Sequence, residues 1–440
     1  MVARPEPLFR SHIIKTVQAN RSRIFNAFME FTKMEVTPIQ RSAFIFTLIL
    51  AILLIGCSAT PDGKMDQTSG KTRVPYRYRS LYNELDTKLD SLRSSVNAQW
   101  DGRKSDVNFG VELLVTNSNR GEVLLTDRVF KATRLTLDRL KDLGVQSVAL
   151  SIQYPILTSA FPRAAEYRIF YKRVAREIRR MGFKLIVEIG TTFREPEFSK
   201  LKVNYRGLTM KRFRDELREM ATVIVSDLQP DYLTLFTEPV TQSQNTGLDF
   251  TVKAFSATVG HVARNLKHNS VRLGAGAGTW DDMAYFKALV RIPELNYLDL
   301  HIYPIQRDFV MNRVMQVTAM AQRHNKSVSI GEAWLYKVSE RELGKISPLK
   351  AFARDVYSFW QPLDILFLET VINLSHAIKA DFSCFFWMKY FYGYLDYNPL
   401  TKNLTPQQRI NAVDASAGRN ILNNTLGNTG ERFKTLIAPQ

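Results

Sequence analysis

The sequence predicts an α/β fold, a (β/α)8 barrel of the TIM-barrel type, and three observations carry that prediction. From Trp100 to the C-terminus, apolar runs of strand length alternate with amphipathic helical stretches, the pattern of βαβ units in a parallel sheet. Several of the runs are almost continuously apolar, as parallel strands covered on both faces are. They number eight, which favours a closed barrel over a doubly wound sheet of five or six.

The 440 residues are 45% hydrophobic and 11% aromatic, ample for a large core. The formal charge of +18 is spread through the chain, often with acidic neighbours as in Arg212-Phe-Arg-Asp-Glu-Leu-Arg-Glu219. That pattern reads as solvated surface, with an acidic polymer or an anionic membrane as the partners such charge favours. No nucleic-acid-binding motif accompanies it. Two cysteines, Cys57 and Cys384, exclude a disulfide framework and a Cys-rich metal site. Cys384 sits in an apolar aromatic run and reads as a small buried hydrophobe.

Residues 1–33 are basic, with no long apolar period, and are either a disordered extension or an untranslated stretch ahead of Met34. Residues 34–57 form a signal-like segment: Arg41, then the apolar run Ala43 to Gly56, too short to span a bilayer comfortably and of secretory h-region length. Its end, Leu54-Ile55-Gly56-Cys57, resembles the lipobox of bacterial lipoproteins, which implies lipidation of Cys57; the alternative is an uncut signal anchor. Both place the protein outside the cytoplasm, membrane-anchored at the cell envelope. Residues 58–77 form a flexible tether rich in Ser, Thr, Gly, Asp and Lys. Over 78–100, Leu81, Leu85, Leu89, Leu92 and Val96 recur at helical spacing, which predicts a helix laid on the barrel, or else a short coiled-coil spacer.

Residues 101–440 form the barrel. Strands are predicted at Val107–Thr116, Val145–Ile152, Phe183–Ile189, Tyr232–Thr237, Val271–Gly276, Tyr297–Tyr303, Ser327–Gly331 and Phe382–Trp387. Helices fall around Thr126–Leu143, Ala165–Met181, Met210–Leu228, Thr251–Leu266, Asp281–Val290, Phe309–His324, Leu349–Ala380 and Pro406–Leu426. No Gly-x-Gly-x-x-Gly follows the first strand, and Gly274-Ala-Gly-Ala-Gly278 lacks the Lys-Ser/Thr of a phosphate loop, so it reads as close packing.

Two of these runs end on glutamates about 90 residues apart: Glu238 after the fourth strand and Glu332 at the seventh. The C-terminal strand ends form the catalytic face of such a barrel, so the two carboxylates meet over one pocket, the equipment for cleaving a glycosidic bond. No His-Glu-x-x-His or comparable spacing is present, so neither a catalytic metal nor a cofactor is expected; His261, His268 and His324 read as surface or packing residues.

On these positions the barrel resembles the clan A glycoside hydrolases, the four/seven superfamily. Thr237-Glu238-Pro239 stands where the clan has Asn-Glu-Pro, and His301-Ile302-Tyr303-Pro304 ends strand six like its His-x-Tyr. Gly331-Glu332-Ala333-Trp334 occupies the nucleophile position, and Phe386-Trp387 ends strand eight, where the clan has a tryptophan floor. The resemblance implies a retaining hydrolase of β-linked oligo- or polysaccharide, with Glu238 as acid/base and Glu332 as nucleophile. Thr237, His301, Tyr303, Trp334 and Trp387 are the substrate-binding set. Two departures stand out: Thr237 replaces the asparagine that holds the sugar 2-hydroxyl, and the strand-two arginine is missing, Ser151, Gln153 and Tyr154 standing there instead. Glu188 and Asp281-Asp282 are further acids near the same face, either sugar ligands or packing and helix-starting residues. A barrel that keeps the cleft but has lost efficient catalysis, a surface glycan-binding lipoprotein, is the rival reading, and a lyase a third.

Overall fold

A computed structural model describes residues 74–267, 270–305 and 310–438. The candidate signal segment, Cys57 and most of the tether lie outside the described residues. Among the described residues, no helix is long and apolar enough to cross a membrane.

Eight parallel strands close into a barrel in simple sequence order. They are β1 (Asn108–Glu112), β2 (Ser147–Tyr154), β3 (Lys184–Thr191), β4 (Tyr232–Thr234), β5 (Arg272–Gly278), β6 (Tyr297–Ile302), β7 (Ser327–Ala333) and β8 (Phe382–Phe385). Closure runs through β1 and β8, with Gly110 opposite Cys384. The helices outside are α1 (Arg79–Gln99), α2 (Asp127–Leu143), α3 (Ala164–Arg180), α4 (Met210–Val223), α5 (Pro239–Thr246), α6 (Val252–Arg264), α7 (Met283–Leu289), α8 (Val310–Arg323), α9 (Pro348–Asp355), α10 (Gln361–Ala377), α11 (Pro406–Asn423) and α12 (Asn428–Ile437).

Several predicted bounds shift. β1 and β4 are shorter than expected because the chain turns as soon as it leaves the barrel: a 3-10 turn follows at Leu114–Thr116, and α5 starts at Pro239. The long helix expected over 349–380 is two, α9 and α10, separated by the 3-10 turn Ser358–Trp360, with Pro362 at the N-terminus of α10. The last helix stops at Asn423 because Asn424 takes a left-handed conformation (φ 53°), and α12 follows.

The barrel interior is layered, since inward residues recur every second position. On β6 they are Tyr297, Asp299 and His301. Tyr297 belongs to a closed apolar layer with Ala149, Ile186, Phe382 and Cys384, Tyr232 packing against it. Cys384 is the small buried hydrophobe the sequence predicts. Asp299, wholly buried, lies one layer higher, and His301 one layer above that. The close approach of β5 to β6 needs Gly276: a Cβ there would lie 1.9 Å from the Asp299 carbonyl oxygen.

α1 is laid on the barrel. Leu85, Leu89 and Val96 are fully buried, and Tyr82 stacks on Trp360 with ring centroids 5.7 Å apart. After β7, buried Lys337 pairs with Asp364 and, at 3.6 Å, with Asp355, tying the start of the β7–α9 loop to α9 and α10.

Leu89→Ala should cost about 2–5 kcal/mol, the usual effect of truncating a fully buried leucine. It will be read as a lower urea midpoint; an unchanged midpoint would show that α1 is a spacer. Gly276→Ala should lower the thermal midpoint by several degrees, because backbone, not a flexible side chain, stands in the way of the added methyl.

Candidate active site

The C-terminal face of the barrel opens into a cleft of about 2210 Å³. Glu238 and Glu332 reach it by different backbone devices. Past β4 the chain turns so sharply that Glu238 takes a left-handed conformation (φ 53°, ψ 60°) as the N-cap residue of α5. Asp281, after β5, accepts hydrogen bonds from the backbone N–H groups of Gly278 (2.8 Å) and Val240 (3.3 Å), so it pins the start of α5 beside its own loop. Asp282 caps α7 through the N–H of Ala284. The two acids thus divide the packing and helix-starting roles.

Glu332 depends on a bulge. In the β6–β7 ladder Asp299 pairs with Ser329 and Leu300 with Ile330, but His301 pairs with Glu332, so Gly331 is skipped. Strict alternation would send Glu332 to the outer face; the extra residue turns it inward beside His301. Gly331 has no room for a side chain, since a Cβ would lie 2.4 Å from Glu188 Oε1 and 2.6 Å from Asp299 Oδ2.

His301 is the hub. Its Nδ1 lies 2.7 Å from Glu238 Oε1 and 3.7 Å from Glu332 Oε2, and its Nε2 lies 3.4 Å from Asp299 Oδ2 and 3.6 Å from Glu188 Oε2. Tyr303 donates its hydroxyl to Glu332 Oε2 at 2.6 Å. Oxygens of Glu238 and Glu332 lie within 4.8 Å of each other. Both carboxylates face the cleft, at 15% and 14% side-chain exposure, while Glu188 and Asp299 beneath them are shielded at 5% and 0%.

The electrostatics follow from several acids around one imidazole. Burial alone would lower the His301 pKa, but the charge of Glu332 and the contacts with Asp299, Glu188 and Glu238 outweigh it and hold the ring well above the usual histidine range. Burial also pushes the Glu332 carboxyl well above its usual range; His301 opposes this, while Glu112, Glu188 and Glu238 add to it. Burial likewise raises Glu188, reinforced by Asp299. Glu112, inward at the end of β1, is pushed up to about 8 by burial against the opposing hydrogen bond that Asn117 donates to its Oε1 at 2.9 Å. Asp281 rises to about 7, again chiefly through burial.

Of the expected substrate-binding residues, Thr237, His301, Tyr303 and Trp387 line the cleft. Trp334 does not: it is buried at 1% exposure and stacked on Tyr390, ring centroids 5.6 Å apart, with Lys337 over its face. Trp334 lies just past the end of β7, where the chain has left strand alternation, and its stacking on Tyr390 places it in the core and not on the cleft wall. Trp387 packs edge-on against Phe386 and Phe352, with Lys389 Nζ 4.6 Å from its ring centre. Sequence reasoning missed Trp280 on the cleft wall, edge-on to Tyr303, and the inward acids Glu112 and Asp299. The period-two alternation of β6 from His301 back to Asp299 was the signal for the latter. Ser151 and Gln153, on β2, also line the cleft.

Fold and site together define a parallel-barrel protein with a paired-carboxylate cleft. No family model matches the chain, and no curated protein matches it. Among solved structures it is similar to a GH5_18 protein from Bifidobacterium longum bound to Manβ1-4GlcNAc, at 12% identity and a TM-score of 0.49, covering 75% of this chain and 77% of that one. It is also similar to a glycoside hydrolase family 5 mannosidase from Rhizomucor miehei (10% identity, TM-score 0.43, covering 71% and 94%). A third is a β-glucosidase from Exiguobacterium marinum (13%, 0.42, covering 65% and 89%).

The raised Glu112 carboxyl has a consequence for stability. The folded state keeps a proton that the unfolded chain releases near its ordinary value, so its contribution is full at low pH and is lost as pH rises towards about 8. Glu112→Gln should therefore flatten the fall in stability between about pH 5 and about pH 9, measured by urea unfolding at both.

Proposed function

We propose that this protein is a retaining glycoside hydrolase of β-linked oligo- or polysaccharides, with Glu238 as acid/base and Glu332 as nucleophile. The observation that carries the reading is the placement of these carboxylates, oxygens within 4.8 Å, over an open cleft and around one histidine. A retaining mechanism wants its two carboxyl groups about 5–5.5 Å apart, too close for a water between them. In the first step Glu332 attacks the anomeric carbon while Glu238 gives its proton to the departing oxygen. In the second, Glu238 takes a proton from the water that displaces Glu332. Tyr303 and His301 stabilise the Glu332 anion in the arginine's absence, and Trp387 offers a flat apolar face to the sugar ring.

A second reading keeps the cleft without efficient turnover, as a surface glycan-binding protein. Thr237 favours it: its buried hydroxyl has no hydrogen-bond partner among the described residues, and it is shorter than the asparagine amide expected there. Both readings extend to a chain held outside the cytoplasm through Cys57, on the strength of the Leu54-Ile55-Gly56-Cys57 pattern.

Reducing-sugar release from a panel of β-linked glycans tests the first reading. Glu332→Gln and Glu238→Ala should each lower it on the order of 10³-fold, ~4 kcal/mol of barrel-bound transition-state stabilisation, with unchanged thermal midpoints. Glycan binding without release by the wild type, with release gained on Thr237→Asn, would establish the second. Because Glu332 must be ionised to attack and its carboxyl is raised, activity should fall on the acid side at a pH above the ordinary carboxylate range. An acid limb within that range would remove Glu332 from the nucleophile's role.

A further inference from the structure

We infer that Asp299 and Glu188 are positioning residues that hold His301 with a proton on Nε2, so that Nδ1 and Glu238 share a single further proton, the one the acid step delivers. The inference deepens the proposed hydrolase and rests on it for its kinetic readout. It concerns a buried acid pair that the two-carboxylate mechanism does not itself use.

The geometry is directional. Nδ1 faces Glu238 Oε1 at 2.7 Å, a hydrogen-bond distance with room for one proton. Nε2 faces away from the cleft, towards Asp299 Oδ2 at 3.4 Å and Glu188 Oε2 at 3.6 Å. Neither of these is a well-formed hydrogen bond, yet with no other hydrogen-bond partner for Nε2 among the described residues the two carboxylates define its electrostatic surroundings. A lone pair pointed at two acid groups is repelled, and an N–H is attracted, so the proton stays on Nε2. Asp299 is itself fixed: Thr234 donates its hydroxyl to Oδ2 at 3.2 Å, and the missing side chain at Gly331 leaves space for both carboxylates.

The groups facing the ring come from most of the barrel. β1 brings Glu112, β3 Glu188 and the β4 end Glu238, while Asp281 follows β5. β6 brings Asp299 and β7 Glu332, which Tyr303, just past the end of β6, holds through its hydroxyl. From β8 the Cys384 thiol faces Glu188 and Asp299, its pKa raised by burial and by both acids, while β2 brings the uncharged Ser151 and Gln153. Asp299 is the acid among these that is wholly buried and does not line the cleft, so it acts on the reaction only through His301 and its neighbours.

Proton accounting closes. In the first step the shared proton passes from Glu238 to the glycosidic oxygen, which takes the electron pair of the breaking C–O bond, while Glu332 forms the new bond to the anomeric carbon. In the second step water attacks that carbon, Glu332 leaves as carboxylate, and the water's proton restores the pair formed by Glu238 and His301. Throughout, Nε2 keeps its own proton.

Asp299→Asn, nearly isosteric, tests this. It removes negative charge beside the ring, so the shared proton is held less tightly. The basic limb of the kcat/KM profile should move to lower pH by about one unit, a tenfold loss of proton affinity, with KM little changed. The second readout needs no substrate. In full-length protein labelled with 15N-histidine, the His301 ring, identified by its loss in His301→Gln, should carry protons on both nitrogens at neutral pH and lose one at a lower pH in Asp299→Asn. If Asp299→Asn does not fold, Glu188→Gln gives the same spectral comparison. A limb and a ring titration that stay in place overturn the inference, as does a neutral ring with its only proton on Nδ1. So does a stoichiometric metal ion in the purified protein that is lost in Asp299→Asn, since it would occupy Nε2 in the proton's stead. Ring titration as expected in a protein that hydrolyses no glycan would sink the hydrolase reading and leave this one standing.

Discussion

The site depends on one irregularity in an otherwise regular ladder, the bulge at Gly331 between β6 and β7. By skipping one residue it brings Glu332 opposite His301 and turns the carboxylate into the barrel mouth. The same position must lack a side chain, because the space beside it is filled by the carboxylates of Glu188 and Asp299. Register, glycine and the space taken by the buried acid side chains are therefore one constraint.

Glu238 is placed by a different kind of local strain. A non-glycine residue with φ near 53° is held only where its surroundings over-determine it, and here they do. Pro239 starts α5, Asp281 binds the N–H of Val240 from the neighbouring loop, and His301 holds the carboxylate from the opposite side. The barrel thus presents two carboxylates on backbone that departs from regular strand geometry at both points. That is how strand-end sites combine precision with room for chemistry.

The interior below the site is unusual for a packed barrel. Where branched apolar side chains would ordinarily fill the upper layers, this one places Glu112, Glu188, Asp299 and His301, with an aromatic layer underneath. Burial holds the Glu112 and Glu188 carboxyls above their usual range, and the charged imidazole offsets part of that cost. In this acid-rich interior His301 is the cation that faces both Glu238 and Glu332.

The sequence by itself determined the barrel, since eight apolar runs alternating with amphipathic helices have few other ways to bury both faces of a parallel sheet. It also placed Glu238, His301, Tyr303, Glu332 and Trp387 at strand ends, because strand order in a barrel of this topology follows chain order. It could not separate Glu332 from Trp334 as cleft and core residues, for the bulge that turns Glu332 inward and the strand end that comes before Trp334 leave no mark in the apolar pattern. Nor did it single out Asp299, whose single acid inside an apolar run reads as an ordinary interruption until β5, β6 and β7 are side by side. Periodicity likewise read α9 and α10 as one helix, because the 3-10 turn Ser358–Trp360 between them is as apolar as its flanks. Distances between residues far apart in the chain, such as His301 to Glu238 and to Glu188, exist only once the sheet has closed on itself, and it is those distances that turn separate strand ends into a site.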